Sequence, residues 1–218
     1  MATTKKSRRP VRAVEIGERL RKKYPAPRTA LNWSTPLELL VATILSAQTT
    51  DAGVNRVTER LFKKYRTAAD YAAATQAELE HDLLATGFYR QKAKNVIGTG
   101  RLLVERFGGR VPDSMDALLE LPGVARKTAN VVLGNAFGRA EGIAVDRHVI
   151  RVAGRLGLTD HTDPADIERD LMKLIPQPDW TDFSHRLIFH GREICHARKP
   201  ECPVCPLNDI CPSAGAVS

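Results

Sequence analysis

SMDALLELPGVARKTANVVLGNAF, residues 114–137, reads as two helices joined by a tight turn. The helices are predicted at roughly Ser114–Glu120 and Arg126–Phe137, on either side of Leu121–Ala125. Pro122 and Gly123 permit the turn, and the N–H groups of Gly123, Val124 and Ala125 are expected to point outward, unpaired, where the second helix begins. Orphan donors and the positive end of a helix dipole together make an anion site, which fits a backbone phosphate without any reading of bases. An ordinary helix connection holding a water would look the same on this stretch alone. Lys127 falls in the first turn of the second helix, where a cation opposes the dipole; with partial burial, the uncharged amine is favoured and can act as a nucleophile. The plain alternative is a surface lysine.

Helix starts recur outward from this centre, and strand alternation is hard to find. Thr35-Pro36-Leu37-Glu38 is a capping box with proline at the first helical position, and it opens an apolar helix through Leu39, Leu40, Ile44 and Leu45. Asp51 is expected to cap a helix with Val54, Val57, Leu61, Phe62 and Tyr65 on one stripe. Thr75–Glu78 is a second box with Gly87 at the far end; Arg90–Phe107 follows and stops at Gly108-Gly109. Asp146 is placed to cap Arg147–Leu156, Asp163-Pro164 opens Pro164–Leu174, and a last helix runs near Thr181–Cys195. The fold class is all-α.

The 218 residues suffice for one large domain or two small ones, and 43% hydrophobic with 27% charged residues argues against disorder and fibrous repeats. No apolar run reaches membrane-spanning length and no secretory signal is expected, so the location expected is cytoplasmic, with no membrane partner. The net charge of +8 lies almost wholly in residues 1–28, where ten Lys and Arg face Glu15 and Glu18; the remaining residues balance. Lys5–Arg12 therefore reads either as a solvated tail or as an arm tracking phosphates. Better nucleic-acid candidates are Arg56, Arg60, Lys63, Lys64 and Arg66, and then Arg186, Arg192, Arg198 and Lys199; outer helix faces would also account for them.

All four cysteines lie in one proline-rich window, Cys195, Cys202, Cys205 and Cys211. Without a secretory signal disulfides are not expected. A four-thiolate zinc site and a 4Fe–4S cluster both accept this set, and only one C-x2-C knuckle is present. A cluster with four thiolates is negative overall and would draw Arg198 and Lys199 close. Its role would be structural, holding a terminus that has few large apolar side chains.

Asp146 follows the apolar Ile143-Ala144-Val145. Its plain role is a helix cap. A capping carboxylate is also fixed and ionised, and such a group can stabilise a cationic sugar or assist proton transfer. His148 and His190 read as core or cap partners.

Taken together, LPGVARKTANVV (121–132), AVDRHVIRV (144–152), LSAQTTD (45–51), HGR (190–192) and the C-x6-C-x2-C-x5-C loop resemble endonuclease III, a family of helix-hairpin-helix bifunctional DNA glycosylases. The match runs from about Trp33 to Cys211. The resemblance implies two helical domains flanking a DNA-binding groove: a six-helix barrel over 29–139, and a cluster domain built from 1–28 and 140–218. It implies Lys127 as nucleophile, Asp146 as catalytic carboxylate, and Cys195, Cys202, Cys205 and Cys211 as ligands of a 4Fe–4S cluster. Gln48 would fill the gap left by an extruded nucleotide, and Phe88 stands where the family usually has a leucine wedge. The hairpin donors of Gly123, Val124 and Ala125, with Arg198 and Lys199, complete the expected DNA contacts; Ala125 replaces a usual glycine, and Gly142 lengthens the loop before Asp146.

The implied activity is excision of oxidised pyrimidines from damaged double-stranded DNA, followed by β-elimination through a lysine Schiff base, by a monomer. Extruding the base costs a few kcal/mol, less for a poorly stacked lesion. Binding is expected to be sequence-tolerant and salt-sensitive. Two rivals differ in class. A monofunctional relative acting on adenine or mismatched thymine is disfavoured by Lys127, and the adenine enzyme's extra C-terminal domain would not fit 218 residues. The other is a non-catalytic, zinc-stapled DNA-binding module.

Overall fold

The computed structural model describes residues 9–216, and no strand occurs among them. They form eleven α-helices: α1 Arg9–Lys23, α2 Pro36–Leu45, α3 Asp51–Lys64, α4 Ala68–Ala73, α5 Gln76–Leu83, α6 Tyr89–Phe107, α7 Met115–Leu119, α8 Arg126–Ala136, α9 Arg147–Arg155, α10 Pro164–Leu174 and α11 Trp180–Glu193. None is long and apolar enough to cross a membrane. The chain divides into two compact units, Thr29–Arg139 and Met1–Arg28 with Ala140–Ser218.

In the 29–139 unit, α2 is buried at every position from Leu39 to Leu45, as a helix apolar on all sides must be. Thr35 Oγ1 accepts the Glu38 amide, while the Glu38 carboxylate accepts the Ser34 amide one residue further out than the expected box. The cap of α3 is Thr50, whose side chain accepts the Gly53 amide; Asp51, expected as the cap, is the first helical residue instead. Thr75 and Glu78 form the reciprocal box at the start of α5. The short α4 was not predicted, although Thr67 and Asp70 make the same reciprocal bonds. It packs backbone to backbone on α6: a Cβ at Gly100 would come within 2.8 Å of the Ala72 nitrogen and 2.9 Å of the Ala68 oxygen. Tyr65 and Tyr71 stack beside it, with ring centres 5.1 Å apart.

The other unit closes α1 and α9–α11 around Ile16, Leu20, Val149, Val152, Ile167, Leu171, Phe183 and Leu187. Asp163 accepts the Ala165 and Asp166 amides, and Pro164 opens α10. Where it is described, the basic N-terminal segment is part of a helix rather than a solvated tail; Lys5, Lys6 and Arg8 lie outside the described residues. Ala13, Ile16 and Leu20 bury one face of α1. Arg9 pairs with Asp160 at 2.8 Å, Arg19 with Asp209 at 2.5 Å, Arg21 with Asp179 at 3.0 Å, and Arg12 donates to the Gly157 carbonyl at 3.2 Å. Each exposed pair is worth under about 1 kcal/mol, so the apolar face holds α1 and the arginines orient it. Arg186, expected on a DNA-facing surface, is 4% exposed: its Nε donates to the Tyr24 carbonyl and its guanidinium pairs with Asp182.

Candidate functional site

The hairpin is built by α7, the turn and α8. Leu121 is buried, and the Val124 amide donates to the Leu121 carbonyl at 3.1 Å, closing the turn. That bond corrects the expected donor set: the Val124 N–H is used internally. Gly123 holds φ +78°, and a Cβ there would lie 2.6 Å from the Asn95 Nδ2. Only glycine combines this backbone with this approach. Helix α6 seats the turn from below, since Thr99 Oγ1 donates to the Pro122 carbonyl at 3.0 Å and Gly98 faces the Pro122 ring. Ala125 occupies the cap of α8 and offers no side-chain acceptor to the first-turn amides. Lys127 stands in that first turn and is solvent-exposed. The partial burial expected for it is therefore absent.

Three non-glycine residues among those described have left-handed backbones, Gln48 (φ 54°), Phe88 (φ 47°) and Lys199 (φ 51°). All three are candidate DNA contacts, and all are exposed, Phe88 at 65%. Such conformations cost about 1–3 kcal/mol each and persist where surrounding structure enforces them. Beneath two of these positions is a residue that sequence reasoning missed. Lys92 is 3% exposed, although it carries an ammonium. Its signal was its phase: Lys92 lies on the buried stripe of α6 with positions 93, 96, 97, 99, 100 and 103.

Asp146 belongs to the other unit. Ile143 and Val145 are buried, and Ser184 Oγ donates to the Ala144 carbonyl at 2.6 Å, pinning the segment before it. Asp146 Oδ1 then accepts the His148 and Val149 amides at 2.7 and 2.9 Å, leaving its second oxygen uncommitted to the cap. Burial holds the His148 imidazole below its ordinary range, and Arg151, Arg192 and Arg147 add to this against the pull of Asp146. His148 packs on the HGR segment, where a Cβ at Gly191 would meet the Arg151 guanidinium at 3.0 Å and His148 at 3.1 Å.

Helix α9 also braces the cysteine loop. Arg151 donates to the carbonyls of Gly191 (2.7 Å) and Cys195 (3.1 Å), and Arg155 donates to those of His196 (2.5 Å) and Ala197 (2.9 Å). Cys195, Cys202, Cys205 and Cys211 are all half-buried thiols that line one cavity. Arg155 reaches the Cys195 sulfur at 3.4 Å, and the Leu207 amide reaches the Cys205 sulfur at 3.4 Å. Donors aimed at sulfur suit anionic ligands. Arg155 is a cation that reaches this sulfur set; Arg198 and Lys199 are exposed on the loop.

Residues 41–177 match the HhH-GPD superfamily of base excision DNA repair proteins, and residues 195–211 match the iron-sulfur binding domain of endonuclease III. The chain is 57% identical over 205 residues to endonuclease III of Synechocystis sp., covering 94% of each protein. A solved non-covalent endonuclease III–DNA complex matches with a TM-score of 0.90 and 44% identity, over 95% of this chain and 97% of that one. A trapped covalent endonuclease III–DNA intermediate matches with a TM-score of 0.87 and 46% identity, over 92% and 94%. A hairpin seated on α6, a carboxylate-capped α9 and a four-cysteine loop thus occur in a chain that belongs to the endonuclease III family of helix-hairpin-helix base-excision repair proteins.

Proposed function

We propose that Lys127 and Asp146 carry this family's reaction in the present chain. The protein is a base-excision DNA glycosylase with AP lyase activity, and it acts on oxidised pyrimidines in duplex DNA. The hairpin takes a backbone phosphate through the amides of Gly123 and Ala125, which positions the duplex without reading its sequence. The observation that carries the assignment is the exposed lysine in the first turn directly beyond that phosphate seat.

Lys127 Nζ attacks C1′ of the extruded nucleotide. The C1′–N bond breaks, and its electron pair leaves with the base, which is protonated. Asp146, held in place by two backbone donors, stabilises positive charge on the sugar. Loss of an amine proton and opening of the sugar ring give a Schiff base, which acidifies C2′. Removal of a C2′ proton then expels the 3′ phosphate and cuts the strand.

Cys195, Cys202, Cys205 and Cys211 would hold a 4Fe–4S cluster. Their half-buried sulfurs line one cavity, and two of them receive N–H donors. The cluster would cross-link the terminal loop. Single-lesion duplexes assayed separately for base release and nicking test the activity: both events on oxidised pyrimidines are expected, and base release without nicking would favour a monofunctional enzyme.

A further inference from the structure

We propose that Lys92 is a positioning residue, whose buried ammonium ties the loop carrying Gln48 to the loop carrying Phe88 and so presents both side chains to the opened duplex. The inference rests on the reading of Gln48 and Phe88 as the residues that enter the DNA.

Lys92 Nζ donates to Thr49 Oγ1 and to the Thr86 carbonyl, both at 2.7 Å. Thr49 Oγ1 in turn donates to the same Thr86 carbonyl. The ammonium is thus one corner of a triangle joining residues 37 apart in sequence. Thr49 adjoins Gln48, and Thr86 precedes Phe88 by a single glycine, Gly87, which itself holds φ +63°. Lys92 also acts through its backbone, since its amide donates to the Phe88 carbonyl at 3.1 Å and opens α6. Thr86 is fixed from behind, with its hydroxyl donating to the Leu83 carbonyl at 2.8 Å.

Stability alone does not account for a lysine here. Burial pushes Lys92 down to about 8, so the folded protein bears a penalty that methionine of similar length would avoid. What the ammonium adds is direction: it takes a hydroxyl and a carbonyl from two loops and fixes their spacing, next to two non-glycine residues with left-handed backbones. An apolar side chain would fill the space without setting that distance.

The test is single-turnover base release from a duplex with one oxidised pyrimidine, run on the full-length protein. Lys92→Met is made alone, and also in a Gln48→Ala/Phe88→Ala background. A fluorescent adenine analogue opposite the lesion reports how the gap is occupied. We expect Lys92→Met to slow base release at least tenfold, chiefly in the single-turnover rate constant at saturating enzyme rather than in affinity, and to shift the analogue's fluorescence. In the background lacking both side chains the same substitution should slow it less than threefold. Equal factors in both backgrounds would overturn the proposal, because the lysine would then act independently of those loops. A Gln48→Ala/Phe88→Ala protein as fast as the parent removes the reading beneath it, and the proposal with it. If Lys92→Met does not fold, Thr49→Val breaks the triangle with the lysine retained, and the same comparison decides.

Discussion

Gly123 lies so close to Asn95 that a Cβ at 123 would approach the amide nitrogen to 2.6 Å. This contact fixes the hairpin turn against α6 and so sets where the turn's amides face. Gly123→Ala adds that clash to a left-handed backbone, and should cost about 1–3 kcal/mol of stability. It should weaken binding to undamaged and damaged duplexes alike. Titrations on several sequences check this; loss confined to lesion DNA would mean the turn does not hold phosphate.

Asp146 both caps α9 and is assigned to the chemistry, and two substitutions separate these roles. Asparagine caps helices about as well as aspartate, so Asp146→Asn should melt within about 0.5 kcal/mol of the parent while excision falls by about 100-fold or more. Asp146→Ala should lose about 1 kcal/mol in addition. Thermal melts beside single-turnover rates decide it. An Asp146→Asn protein of full activity would leave Asp146 a cap alone.

Burial holds His185 below its ordinary 6.5, partly offset by Asp182, opposed in turn by Arg192 and favoured by Asp146. The folded chain keeps this imidazole neutral where the unfolded chain takes up a proton. Stability is therefore unaffected by His185 well above pH 6.5 and declines as the pH falls below it, by at most about 1.4 kcal/mol per pH unit. Denaturant melts at successive pH values should show a shallower acid decline for His185→Gln. An unchanged slope would place the lost protons elsewhere.

The cysteine set predicts about four irons and four sulfides per chain. Cys205→Ser should lower the iron content and make the loop between residues 195 and 211 sensitive to protease. One zinc and no iron would favour a single-ion site.

Local chemistry made much of this fold legible. Thr75–Glu78, Asp163-Pro164 and Gly108 signal helix ends in short range, and the helices begin or stop there. Other parts were hidden by length or by competing signals. Helix α4 has six residues and uses aspartate rather than glutamate in its box, so periodicity could not reveal it. In α1 the apolar spacing of Ala13, Ile16 and Leu20 was present but lay beneath a run of charge. Charge runs also concealed Arg186, because partners such as the Tyr24 carbonyl, 162 residues away, exist only after folding. The same holds at the site. Glycine at 123 and carboxylate at 146 announce their backbone needs, whereas the Val124–Leu121 bond and the Lys92 triangle depend on how the chain closes.

The account depends most on Lys127 as the amine that joins the sugar, and borohydride added during reaction with lesion DNA reads this directly. The parent protein should be captured as a covalent adduct, reduced at the Schiff base. Lys127→Gln should yield none while still binding the duplex. An adduct of undiminished yield from Lys127→Gln, or none from the parent during active base release, would contradict it.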